Sequence, residues 1–160
     1  KNKSVKEFLD FYVHSDETEL FRKYKDKVFK AFYPTRGFHY KLKDGKQAIS
    51  DFKKLGPSAE LLADLMLFYV ETGVQFTNDY GDINEAFYKS VETCFVDSLR
   101  LMSKENLLDK FEDRVEKLID DTDGIGWGFH DYMVQVWIDF YPSDYEEDFE
   151  DDNNATEEKG

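Results

Sequence analysis

GPSAELLADLMLFYVETGVQFTNDYGDINEAFY, spanning Gly56–Tyr88, is the most apolar and most sharply punctuated stretch of the chain, and its reading decides the fold. Gly56 and Pro57 stop whatever precedes them, and Ser58 is placed to cap a long helix with Glu60 in its first turn. Leu61, Leu62, Leu65, Met66, Phe68, Tyr69, Phe76 and Tyr80 then cover most of a helical circumference. Only a narrow stripe, Glu60, Asp64, Glu71, Gln75 and Asn78, is left for water. A helix apolar nearly all round is central. Thr72 and Gly73 at its middle are small enough to let another helix approach closely. Gly81 suits the left-handed angles of a helix end, and Asp82 with Glu85 forms an acidic variant of the capping box for the next helix, Ile83–Ser103. The tight turn makes the two helices antiparallel.

Outward from this hairpin, the same periodicity predicts five more helices. Ser4–Val13 places Val5, Phe8, Leu9 and Tyr12 at helical spacing, and Ser15 with Asp16 can cap a second helix, Glu17–Tyr33, that Pro34 ends. A loop, Thr35–Asp44, and Gly45 precede a helix from Lys46 to Leu55. Beyond the hairpin come Glu105–Asp121, then the glycine-rich turn Asp123–Gly128, then Phe129–Tyr141 before Pro142. The fold class is therefore all-α, a compact antiparallel helical bundle or a short helical-hairpin solenoid of six to seven helices. Residues 1–143 form one helical domain, and residues 144–160 read as an acidic, disordered tail. An echo between Phe8–Tyr33 and Leu65–Tyr88, with Ala31-Phe32-Tyr33 matching Ala86-Phe87-Tyr88, is what stacked hairpins produce, and also what any aromatic-rich amphipathic hairpin produces.

Composition limits the function. Aromatics make up 17 % of the 160 residues, so Phe and Tyr carry much of the core and the Tyr hydroxyls must find partners there. The net charge of −14 is unevenly spread: Lys1–Lys54 holds 14 basic and 8 acidic side chains, Leu55–Ser143 holds 6 and 18, and Asp144–Gly160 holds 1 and 9. Such a field repels nucleic acid and anionic lipid. Arg36, Phe38, His39, Tyr40, Lys41 and Lys43 mix cations with aromatics as single-strand binders do, yet a connecting loop explains them more simply. No apolar run reaches the ~20 residues of a membrane helix. The lone Cys94 leaves no disulfide framework, fits a cytoplasmic setting, and has no basic neighbour to activate it.

No catalytic signature, nucleotide loop, cofactor motif or metal motif stands out. Asp79, Asp82, Glu85 and Glu92 make a carboxylate cluster without the spacing of a cation loop, and capping already employs two of them. His130 and Asp131 follow one another on a helix, so their side chains diverge by about 100° and do not form a productive pair. His130 packs in the first turn, and Asp131 favours the helix dipole. The strings DLMLFYVE (Asp64–Glu71), YGDI (Tyr80–Ile83) and GWGFHD (Gly126–Asp131), with Lys53–Pro57 and Phe87-Tyr88, together resemble a family of small uncharacterised bacterial proteins common in Bacteroidetes. The resemblance covers Val5–Tyr141 and implies a compact helical protein without an assigned activity.

The expected function is protein binding. A scaffold or adaptor with an aromatic groove and an acidic rim would receive a basic or amphipathic protein segment, with the tail adding steering or self-occlusion against the basic N-terminal third. Candidate binding residues are Glu71, Tyr80, Asp82, Glu85, Trp127, His130 and Asp131, gathered where Tyr80–Glu85 and Gly126–Asp131 would meet. The alternative is a metal-assisted or small-molecule enzyme using Glu71, Asp79, Asp82, Glu85 or His130 around a pocket.

Overall fold

A computed structural model describes residues 2–142, with side chains from Glu17 onward. The predicted tail and the inward face of Val5, Phe8, Leu9 and Tyr12 lie outside the described residues and side chains. Six α-helices follow in order: α1 Asn2–Phe32, α2 Leu42–Lys54, α3 Ala59–Tyr80, α4 Glu85–Lys104, α5 Leu108–Asp121 and α6 Phe129–Phe140. No strand occurs among the described residues. The chain is all-α.

Two boundaries differ from the periodicity reading. The first two expected helices are one, because neither Gly nor Pro interrupts Asn2–Phe32, and residues such as Ser15 and Asp16 permit a break without forcing one. Gly45 is not a helix entry but a buried member of α2. A Cβ there would stand 2.7 Å from Cε2 of Tyr69, so the glycine serves close packing of α2 on α3.

α3 is central, as its apolar circumference requires: it packs on α1, α2, α4 and α5. Ser58 caps it, its side chain accepting from the N–H of Leu61 at 3.2 Å. Gly81 ends it at φ 87°, with its N–H bonded to the carbonyl of Thr77. Gly73 lets α4 approach, since a Cβ would meet Val91 at 2.7 Å. The helices contact neighbours one and two along the chain, the ordering of a short array of hairpins. The sequence echo has no structural counterpart past Tyr24, because Tyr24–Phe32 is helix whereas its match crosses the α3–α4 turn.

Aromatic rings knit the array. Phe32 of α1 meets Tyr69 edge-on at 5.0 Å and Phe87 at 5.9 Å, while Phe76 packs on Tyr33 and Tyr40, each at 5.5 Å. The tyrosine hydroxyls are spent as burial demands. Tyr69 bonds Ser90 at 2.7 Å, Tyr33 donates to Asp79 at 2.6 Å, and Tyr141 donates to the carbonyl of Leu108 at 2.8 Å.

Candidate functional site

The α3–α4 turn, Gly81–Asn84, and the α5–α6 connection, Thr122–Gly128, come together at one end of the molecule. The contact is made by one carboxylate. Oδ1 of Asp82 accepts the hydroxyl of Tyr88 at 2.7 Å and the backbone N–H of Gly126 at 3.2 Å. The Tyr88 oxygen in turn accepts the N–H of Ile83 at 3.1 Å, so turn, helix and loop share one network. Burial first, then the bond to Asp82, raise the Tyr88 phenol to about 12. Asp82 is thus not the cap of α4. Asn84 is, its side chain accepting the N–H of Phe87 at 2.9 Å, and Glu85 is released to face solvent.

The next residue along the loop has an unusual posture. Trp127 is held at φ 61°, left-handed backbone that costs a bulky residue about 1–2 kcal/mol. Its indole is 70 % exposed. Beneath it, Phe129 is buried and its ring lies 5.0 Å from that of Tyr88. Trp127 therefore forms one wall of a cavity of about 280 Å³ shared with Glu85, Tyr88, Lys89, Glu92 and Tyr132. Burial raises the carboxyl of Glu92 above its ordinary range, with the charge of Glu85 adding to the effect and Lys89 opposing it.

The remaining candidates spread around this end. His130 pairs not with Asp131 but with Thr122, at 2.7 Å from Nδ1 to Oγ1. The Thr122 hydroxyl donates to the carbonyl of Ile119 at 2.6 Å, so it accepts from Nδ1–H of His130. That leaves Nε2 facing Asp123 at 4.0 Å. Asp131 is exposed in the first turn of α6, at the positive end of the helix dipole. Tyr80 is 67 % exposed and stands 4.8 Å from Phe76, at the rim of the ring cluster.

Glu71 lies elsewhere. It takes Arg114 of α5 through three contacts of 2.6 to 3.1 Å, and Asp64 takes the same guanidinium at 2.7 Å. The α3 stripe expected to be solvated is therefore partly covered by α5, with Lys110 on Glu60 adding a further pair. Burial works against the charge of Arg114, but Glu71 and Asp64 outweigh it and raise its pKa. Sequence reasoning missed Arg114. The available signal was Lys110 and Arg114 at a four-residue spacing, matching that of Glu60 and Asp64.

Of the four clustered carboxylates, Glu85 and Glu92 share the Trp127 cavity, while the other two are engaged elsewhere. Asp79 is engaged by Tyr33 and Asp82 by Tyr88, and no group of three or more potential metal-ligating side chains occurs among the described residues. The thiol of Cys94 sits against the carbonyl of Met66 at 3.4 Å, and burial raises it to about 12, which leaves it inert at neutral pH. No described helix is long and apolar enough to cross a membrane.

The family of unknown function DUF6155 matches residues 1–141, and the chain belongs to it. No curated protein and no solved structure matches.

Proposed function

We propose that this member of DUF6155 is a non-enzymatic protein-binding domain that takes a Lys or Arg of a basic partner segment between Trp127 and the carboxylates of Glu85 and Glu92. The observation that carries the reading is Trp127 itself, an indole kept 70 % exposed on left-handed backbone beside a cavity whose charged lining is two carboxylates and Lys89, leaving an excess of negative charge. An aromatic face attracts a cation by about 0.5–2 kcal/mol, and a half-buried carboxylate with a raised pKa gains most from one. The excess of acidic over basic side chains in Leu55–Ser143, 18 against 6, draws such a segment in from a distance.

In this reading residues 1–143 are one helical domain, residues 144–160 an appended acidic tail, and YGDI and GWGFHD the strings that mark the family. The domain works in the cytoplasm, where the thiol of Cys94 stays reduced. The test is a tryptophan-emission titration of the full chain with a Lys- and Arg-rich amphipathic peptide and with its Glu-substituted counterpart. Saturable change with the basic peptide alone, weakened by salt, is expected, and calorimetric titration of Trp127→Ala, which lacks the aromatic face, should show the binding lost. Equal response to both peptides, or none to either, overturns the reading.

A further inference from the structure

The loop between α1 and α2 presents the most exposed apolar side chain among the described residues: Phe38, at 97 %. Just after that residue the loop is anchored to the body of the domain. The N–H of Lys41 bonds the carbonyl of Ala31 at 2.7 Å, and the ring of Tyr40 packs on Phe87 at 5.2 Å. Arg36, His39 and Lys41 flank Phe38 in the loop, Lys43 follows in the first turn of α2, and all four are exposed. An exposed apolar tip flanked by cations in sequence has the composition of an interface anchor, where one aromatic in a pocket and one Arg beside a carboxylate supply most of the binding energy.

The position of this prong identifies its occupant. Tyr40, two residues from Phe38, bonds the side chain of Asn84 at 3.1 Å, and Asn84 precedes Glu85, which lines the Trp127 cavity. On the other side of the same turn, Asp82 holds Gly126, the neighbour of Trp127. The basic prong and the acidic aromatic cavity thus flank one turn. A surface carrying both halves of a complementary pair side by side matches itself under a twofold axis, and twofold pairing forms each contact twice.

We infer that the basic segment received by the Trp127 cavity is the Arg36–Lys43 loop of a second copy of this chain. The dimer is isologous, with Arg36 and Phe38 of each copy seated against Glu85, Glu92, Trp127 and Tyr132 of the other. This rests on the proposed cation-binding role of that cavity.

Sedimentation velocity of the full chain, from about 1 to about 500 µM, reads the inference directly. The expected result is a dimer that weakens with salt, as steered charge contacts do. Arg36→Glu and Glu85→Arg each weaken it at least tenfold. Mixed together they restore it, because the prong made acidic in one chain meets the cavity made basic in the other, while the native prong and native cavity of the same pair remain matched. Rescue by mixing cannot come from a damaged fold. A chain that stays monomeric throughout, or variants that dimerise as the parent does, overturns the inference. If a monomeric chain still binds the basic peptide, the cavity reading stands and its partner is another protein. If it binds neither, both fail.

Discussion

Asp82 receives the backbone N–H of Gly126 on the same carboxylate oxygen that accepts the Tyr88 hydroxyl. A residue in the turn of the central hairpin is thereby the tie that fixes a loop 44 positions away. A Cβ on Gly126 would fall 3.0 Å from Oδ2 of Asp82, so the loop comes this close because no side chain intervenes. Replacing Asp82 with Ala leaves the Gly126 N–H without its charged acceptor, and the Tyr88 hydroxyl without its own. We expect a loss of about 1–3 kcal/mol in urea unfolding, with Asp82→Asn losing less because an amide oxygen still accepts. Trp127 emission should shift in Asp82→Ala, since the contact next to its backbone is gone. An unchanged midpoint would mean that the loop is held by Phe129 packing alone.

The buried phenols set an alkaline limit. Tyr69 and Tyr88 are both raised from 10.0 to about 12, in each case chiefly by burial. A folded-state pKa above the unfolded value means the folded chain retains protons that the unfolded chain has lost. The stabilisation is fully present below pH ~10 and disappears as pH rises towards ~12, by roughly 2 kcal/mol per ring. Urea midpoints measured from pH 9 to 12 should therefore fall steeply above 10, and Tyr88→Phe should flatten part of that fall. A midpoint constant to pH 12 would refute the linkage.

Much of the fold was legible because its signals are local. Ser58 caps α3 and Gly81 ends it by geometry confined to a few residues, and the apolar circumference of α3 announced its central place. Asp82 was misread for the opposite reason. Asp82 and Glu85 have the spacing of a capping box, but a carboxylate gains more from a distant phenol and amide than from the local N–H, and Asn84 stood ready to cap instead. The glycines around Trp127 signalled a close approach without revealing which way the indole points. That depends on the left-handed backbone of Trp127, which lies next to a contact made from 44 positions away and which no local pattern announces.

The Arg114 clamp gives a prediction about paired removal. Arg114 spans Glu71 and Asp64 with side chains about 30 % exposed, so its deletion leaves two half-buried carboxylates opposed. Arg114→Met should cost on the order of 2–4 kcal/mol, and the triple change with Glu71→Gln and Asp64→Asn should recover most of it. Chemical denaturation of the parent, the single variant, the carboxylate double variant and the triple variant closes this cycle. A triple variant no more stable than Arg114→Met would show that the arginine acts by packing on Phe111, whose ring centre is 5.8 Å away, rather than by charge.

Gly45 reverses an ordinary rule. Gly to Ala inside a helix usually stabilises by up to about 1 kcal/mol. Here the added methyl would lie 2.7 Å from the ring of Tyr69. That ring is fully buried, edge-on to Phe32 and bonded to Ser90, and it has nowhere to go. Gly45→Ala should destabilise by about 1–3 kcal/mol. A stabilised variant would place α2 farther from α3.

Trp127 is where stability and binding should pull apart. Its φ of 61° is strained for a residue with a side chain, and its indole is 70 % exposed, so it loses little packing when removed. Trp127→Gly relieves the backbone strain while loosening the unfolded chain, and the balance should leave the fold unchanged or stabilised by up to about 1 kcal/mol. A substitution that keeps or improves stability while abolishing peptide binding separates a recognition residue from a core residue. Thermal unfolding beside the peptide titration, read by calorimetry because the reporting indole is gone, measures both sides. A loss of more than about 1 kcal/mol would class Trp127 with the packing residues, and its exposure would then carry no argument for binding.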